Sequence, residues 1–249
     1  MDEDPRMKVL KKEWFEGRDC LDIGCNQGFI TISIAQKFAC RSILGIDIDD
    51  RLIGRARQNL KAMAGVEGMD IKGQSFEDKD VTKEVKCTYT RFFRHGGRQT
   101  SKDSGSDNIE GKFKDPDLLE RVHFRTENFI QKFPSVLDAT HDTVLCLSVT
   151  KWVHLNWGDE GLICLFAKIW QVLRPGGILL LEPQPWKSYE RKRLVSEVAV
   201  ANFRDIVFRP DAFRDILLDK IGFRSMEMIS THVPNSTAGF NRPIYLLWK

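Results

Sequence analysis

A chain of 249 residues, 42% apolar and 29% charged, is large enough for one α/β domain with its own core and needs no second domain. A formal charge of +3 is too mild to establish a nucleic-acid partner. The six cysteines, Cys20, Cys25, Cys40, Cys87, Cys146 and Cys164, show neither a C-x-x-C pair nor a framework spacing, so reduced core thiols of an intracellular protein are expected, with no metal site. The start, Met1-Asp2-Glu3-Asp4-Pro5, lacks a charged-then-apolar signal pattern, and no apolar run approaches a membrane span. Neither secretion nor membrane insertion is expected.

In chain order, strands alternate with helical patterns, the signature of βαβ units and a parallel sheet. Cys20–Ile23 reads as a strand, Phe29–Phe38 as a helix and Ser42–Ile46 as a second strand. Asp49 or Asp50 then caps a helix to about Leu60, with Leu52, Ile53, Ala56 and Leu60 inward. From about 72 to 117 the pattern dissolves into Gly, Ser, Lys, Asp and Thr, and a disordered insertion is expected within the single domain 1–249. Val122–Arg125 and Thr143–Val149 follow as strands, the latter apolar throughout, as for a strand buried on both faces. Gly161–Val172 reads as a helix stopped by the turn Leu173-Arg174-Pro175-Gly176-Gly177, and Ile178–Leu181 as the next strand. Pro210 opens a last helix with Phe213, Ile216, Leu217 and Ile221 on its apolar face. Ser225–Ser230 and Ile244–Trp248 close the chain as an antiparallel edge hairpin.

The first strand runs into Asp22-Ile23-Gly24-Cys25-Asn26-Gln27-Gly28 and then a helix. Glycines let backbone approach a ligand, and the helix start offers free N–H groups. Asp47, at the end of the second strand, is placed to hold the hydroxyls of a ribose. A dinucleotide site would favour G-x-G-x-x-G, but here Asn26 takes the middle position and the acid Asp22 precedes the first glycine. An acid there suits a cationic ligand better than a pyrophosphate. Together with the Leu173-Arg174-Pro175-Gly176-Gly177 turn before the fifth strand, this looks like a class I methyltransferase binding S-adenosylmethionine.

Directly after the fourth strand comes Thr150-Lys151-Trp152-Val153-His154-Leu155-Asn156-Trp157-Gly158-Asp159, which gathers a cation, an imidazole, an amide and two indoles. Ligands of open α/β sheets lie at the carboxyl ends of strands, so this is the expected acceptor side. Two cationic clusters, Arg91–Arg98 and Glu190–Arg193, either face RNA or are solvated surface.

These strings, with Leu181-Glu182-Pro183-Gln184-Pro185-Trp186 and Gly239-Phe240-Asn241-Arg242-Pro243-Ile244-Tyr245, resemble the bicoid-interacting-protein-three family, the RNA methylphosphate capping enzymes. The resemblance implies a Rossmann-like, seven-stranded, mostly parallel sheet with an antiparallel edge hairpin. It implies methylation, by S-adenosylmethionine with S-adenosylhomocysteine as product, of the 5′-terminal phosphate of small noncoding RNA. Lys151 and Trp157 look like the branch acting on the γ-phosphate of triphosphate ends of nuclear RNA, such as 7SK. A nuclear location and RNA-binding protein partners are expected accordingly.

By the same resemblance, cofactor contacts fall on Arg6, Gly24, Asn26, Gly28, Asp47, Ile48, Asn128 and Leu147. Ile48 is expected against the adenine and Leu147 beneath the methyl group; Asn128 is either a contact or a plain turn residue. A terminal phosphate is itself an oxygen nucleophile, so no catalytic base is needed. Lys151 is expected on the phosphate, with His154, Asn156 and Arg242 as helpers, and Trp157, Gln184 and Trp186 toward the RNA. A core role for His154 is the alternative. Family members carry a Tyr-rich basic stretch upstream, whereas the tyrosines here are Tyr89, Tyr189 and Tyr245. A noncatalytic RNA-binding scaffold is therefore the competing function.

Overall fold

A computed structural model describes residues 4–65, 117–131, 139–230 and 242–249. Strands β1 (Asp19–Ile23), β2 (Ser42–Asp47), β3 (Val122–Thr126), β4 (His141–Leu147), β5 (Leu173–Glu182), β6 (Ser225–Ser230) and β7 (Ile244–Trp248) form a sheet of order β3-β2-β1-β4-β5-β7-β6. β7 runs antiparallel between β5 and β6, and the other pairings are parallel. This is the class I methyltransferase sheet. The strand order reverses between β1 and β4, which opens a crevice at their carboxyl ends.

Helices cover both faces. On one side, α1 (Phe29–Phe38), α2 (Asp50–Met63) and the short α3 (Leu118–Arg121) pack with two N-terminal 3-10 turns, and Met7, Phe15, Ile32, Phe38, Ile53 and Leu118 join a core reaching Leu145 and Leu147. On the other, α4 (Thr150–Val172) buries Leu162, Leu165, Phe166 and Ile169 against Val144 and Cys146. The same strand thus feeds both cores by its two-residue alternation. Each fully buried Leu or Ile contributes about 1.5–3 kcal/mol. Three C-terminal helical pieces, α5 (Trp186–Glu190), α6 (Glu197–Asp205) and α7 (Phe213–Asp215), follow β5, and α7 continues as a π-turn over Ile216–Ile221. Asp49 is the α2 cap, its carboxylate accepting Arg51 and Leu52 N–H.

The structure differs from the sequence reading in two places that matter. The fourth strand ends at Leu147 and not Val149, because Ser148 adopts φ 63° and turns the chain, and the helix expected from Gly161 starts already at Thr150. That helix is broken at Gly158 (φ 64°, ψ −165°), which a non-glycine residue would resist. Leu173 to Gly177 is part of β5 and not a free turn: Leu173 pairs with His141, and the register shifts before Thr143. The expected insertion at 72–117 lies outside the described residues, except Asp117 at the start of α3, as do the cationic cluster at 91–98 and the loop 231–241. Among the described residues no helix is long and apolar enough to cross a membrane.

Candidate active site

A cavity of about 790 Å³ opens at the carboxyl ends of β1, β2 and β4. Its cofactor half is built by the turn after β1. Gly24 and Cys25 both donate their N–H to Ile46 O (2.8 and 3.0 Å), which folds the turn back onto β2. Gly24 lies at φ 71°, and a Cβ there would meet Val149 Cγ2 at 2.4 Å. Asn26, at φ 54°, donates its N–H to Asp47 Oδ2 at 3.0 Å, while Asp47 Oδ1 accepts Asp49 N–H at 3.0 Å. Each carboxylate oxygen of Asp47 therefore retains a lone pair for a hydroxyl. Ile48 is 57% exposed at the same edge, an apolar surface suited to a flat heterocycle.

Asp22 lies on the wall of this cavity, buried, with Thr31 Oγ1 donating at 2.6 Å. Burial pushes its carboxyl up to about 6, against the pull of Thr31 and Arg6 and with a further push from Asp47. A buried acid in that state is stabilised by a cation. Arg6, from the N-terminal 3-10 turn, forks onto Asp4 (Nε 3.0 Å, Nη2 2.8 Å) and reaches Glu182 Oε2 with Nη1 at 3.0 Å. The donor set thus fits S-adenosylmethionine: Asp47 for the ribose, Ile48 for the adenine, the Gly24 turn for close approach, and Asp22 for positive charge.

The other half of the cavity, the expected acceptor side, is built where β4 becomes α4. Ser148 N–H donates to Glu182 O at 3.0 Å, and Arg242 Nη1 donates to Ser148 Oγ at 2.8 Å. The Arg242 and Arg6 guanidiniums flank the buried carboxylate of Glu182, the Arg242 pair at 3.4 Å. Gln184 Nε2 donates to Ser148 O, while its Oε1 accepts Thr150 Oγ1 and Lys151 N–H, both at 3.0 Å. Lys151 is buried; its ammonium donates to Ser188 Oγ at 3.0 Å and sits 4.3 Å from the centre of the Trp152 ring. Burial first, then Arg242, Lys192 and Arg191, lower its pKa to about 8.

Of the expected cofactor residues, Arg6, Gly24, Asn26, Asp47, Ile48, Asn128 and Leu147 line this one cavity. Gly28 does not. It starts α1 at φ 76°, where a Cβ would strike the Phe124 ring at 2.5 Å, so its glycine is a packing requirement. Asn128 also makes a turn, its Oδ1 accepting Ile130 and Gln131 N–H (3.1 and 3.3 Å).

Of the expected acceptor residues, Lys151, Trp157, Gln184 and Arg242 line the cavity, and His154, Asn156 and Trp186 do not. His154 is fully buried, with Nε2 2.7 Å from Asp159 Oδ1 and its ring against Tyr189 and Phe208. Asn156 is exposed and bonds Trp152 O at 2.8 Å. Trp186 stacks between Phe203 and Tyr189, with centroids at 4.8 and 5.2 Å, under Arg209. Sequence reasoning missed Glu182 and Ser188. Glu182 was legible as an acid at a strand end, whereas Ser188 becomes relevant only once α5 is folded over Lys151.

The family model for Bicoid-interacting protein 3 matches residues 141–249, and a methyltransferase-domain model matches 20–95. A probable RNA methyltransferase of Arabidopsis thaliana is 49% identical over all of this chain and 75% of its own length. The U6 snRNA methylphosphate capping enzyme of Drosophila melanogaster is 34% identical over 99% of the chain and 68% of its own. The 7SK snRNA methylphosphate capping enzyme of Mus musculus is 40% identical over 99% of the chain, which spans 38% of that protein. Among solved structures, the N-methyltransferase NodS of Bradyrhizobium japonicum, in complex with S-adenosyl-l-homocysteine, aligns with a TM-score of 0.55 at 13% identity, covering 98% of this chain and 84% of its own, and shows the fold alone. With the class I sheet and both halves of the cavity in place, the near-complete matches to the plant and fly proteins decide the assignment: the chain belongs to the Bicoid-interacting protein 3 family.

Proposed function

We propose that this chain transfers the methyl group of S-adenosylmethionine to the 5′-terminal phosphate of small noncoding RNA. One observation carries the reading: a buried lysine, Lys151, lines the same cavity as the Asp47 ribose site and has Arg242 as a cationic neighbour. A cation so placed suits an anionic acceptor next to a cofactor. The names of the snRNA-capping relatives agree with that chemistry.

When bound, S-adenosylmethionine supplies an electrophilic methyl on a sulfonium and is left as S-adenosylhomocysteine. The protein's part is placement. A terminal phosphate loses its second proton near pH 6, at about its second pKa, so no side chain has to remove one. Lys151 and Arg242 hold the anion and orient one of its oxygens, while the walls formed by Leu147, Val149 and Trp157 keep water out of the space beside it. The finer reading is a triphosphate end of nuclear RNA: Arg191 and Lys192 add two more positive charges close enough to depress Lys151. RNA-binding protein partners belong to the same reading.

The test is methyl transfer to one RNA sequence carrying a 5′-triphosphate, 5′-monophosphate or 5′-hydroxyl end. Transfer to the phosphorylated ends, triphosphate foremost, and none to the hydroxyl end is expected. Transfer to hydroxyl-ended RNA would overturn the phosphate assignment, and tight RNA binding with no transfer to any end would make the chain a scaffold.

A further inference from the structure

We propose that Gln184 is a positioning residue for Lys151 and does not itself read the RNA. This rests on the phosphate-facing reading of Lys151 given above. Gln184 lines the cavity and is buried, yet three of the four hydrogen-bonding positions of its amide are already committed inside the protein. A glutamine amide offers two acceptor lone pairs and two donor hydrogens. Both acceptor sites are used by Thr150 Oγ1 and Lys151 N–H, and one donor by Ser148 O.

Those three partners bracket the place where β4 turns into α4. Ser148, at φ 63°, is in a backbone region that a non-glycine residue enters only when its surroundings hold it there. The helix that follows has no side-chain cap from its own N-cap, Val149. Gln184, reaching from the loop after β5, supplies the missing acceptor for the N–H of Lys151. The same loop continues into α5, where Ser188 accepts from the Lys151 ammonium at 3.0 Å. Lys151 is thereby fixed at both ends, its backbone by Gln184 and its Nζ by Ser188. Misplacing a reacting group by 1 Å costs on the order of 10²-fold in rate, so a brace three bonds strong is a kinetic device.

The experiment uses the full chain and compares wild type, Gln184→Met, Lys151→Ala and the double variant in methylation of triphosphate RNA. S-adenosylhomocysteine binding and thermal unfolding are followed in parallel. Gln184→Met should lower kcat about tenfold or more while the RNA KM and S-adenosylhomocysteine Kd stay within about twofold. The loss should be the same for RNAs beginning with any of the four bases. The double variant should be no slower than Lys151→Ala alone, because a residue that acts through another adds nothing once that other is gone.

Wild-type kcat in Gln184→Met, full additivity in the double variant, or a KM change that depends on the first base would each overturn the proposal. Wild-type transfer by Lys151→Ala would instead overturn the phosphate reading itself. Should the methionine variant not fold, Gln184→Asn decides by the same criteria, since it stays a neutral amide but is one methylene too short to reach all three partners.

Discussion

His154 and Asp159 face each other across the break at Gly158, with Nε2 2.7 Å from Oδ1. A carboxylate only accepts, so Nε2 donates, and the second Asp159 oxygen takes Val207 N–H at 2.9 Å. The pair therefore ties the two parts of α4 and the chain after α6 together. Burial lowers the pKa of His154, with Asp159 pulling the other way. A folded-state value below the ordinary 6.5 means that stability is complete above that pH and drains as the pH falls. Asp159→Asn should cost about 1–3 kcal/mol in denaturant unfolding at pH 7.5. Its gap from wild type should widen at pH 5.5, where an imidazolium would lack its carboxylate, and S-adenosylhomocysteine affinity should stay unchanged.

Asp22 should trade stability for binding. Its carboxyl is raised from 3.8 to about 6, chiefly by burial, so the associated stability is whole below the lower value and lost as pH rises through the upper one. Asp22→Asn removes that titration. The difference in unfolding free energy between variant and wild type should therefore grow in the variant's favour between pH 4 and 7, by up to about 3 kcal/mol, and then level off. S-adenosylmethionine affinity should move the other way. A difference that is flat across this pH range would show that the acid is not strained.

Asp47→Ala should weaken S-adenosylmethionine binding by about 1.5–3 kcal/mol, the worth of hydrogen bonds to a charged acceptor. The same change frees Asn26 N–H and Asp49 N–H, so a part of the loss is loop ordering. Calorimetry on Asp47→Asn separates the two: the amide keeps one acceptor and should recover some affinity. Equal affinity in Asp47→Ala and wild type would remove the ribose assignment.

The pH profile of methyl transfer should be a bell. Its acid limb follows ionisation of the RNA phosphate near about 6. Its alkaline limb follows Lys151, whose ammonium, depressed first by burial and then by Arg242, Lys192 and Arg191, is lost above about 8. Lys151→Ala should be slower by about 10²-fold or more and lack the alkaline limb, with S-adenosylhomocysteine binding unchanged. Lys151→Arg should recover activity in part and carry no limb near 8, because a guanidinium stays charged but differs in shape.

Gly24→Ala should be damaging even before any ligand binds. Its φ of 71° and the 2.4 Å approach to Val149 Cγ2 add backbone strain of about 1–2 kcal/mol to overpacking of about 1–3 kcal/mol. A thermal midpoint unchanged from wild type would show that the turn can open.

Local periodicity carried much of this protein. Alternation between sheet and helix, Gly24 followed by Asp47, and the paired runs 225–230 and 244–248 each express short-range rules, and the strands, the edge hairpin and the cofactor turn follow from them, whereas the strand order is tertiary. What the chain could not reveal locally is which way each side chain of 150–159 faces. Read only as a segment at a strand end, all ten residues were available to a ligand; as a helix, successive residues step by about 100° around the axis. Lys151 and Trp157 consequently reach the cavity, while His154 turns into the Tyr189 and Phe208 cluster and Asn156 turns to solvent. Gln184 and Trp186 sit two residues apart, yet one braces Ser148 and the other stacks on Phe203. Those assignments depend on residues more than 15 positions away, so only the folded packing of α4, α5 and α6 could decide them.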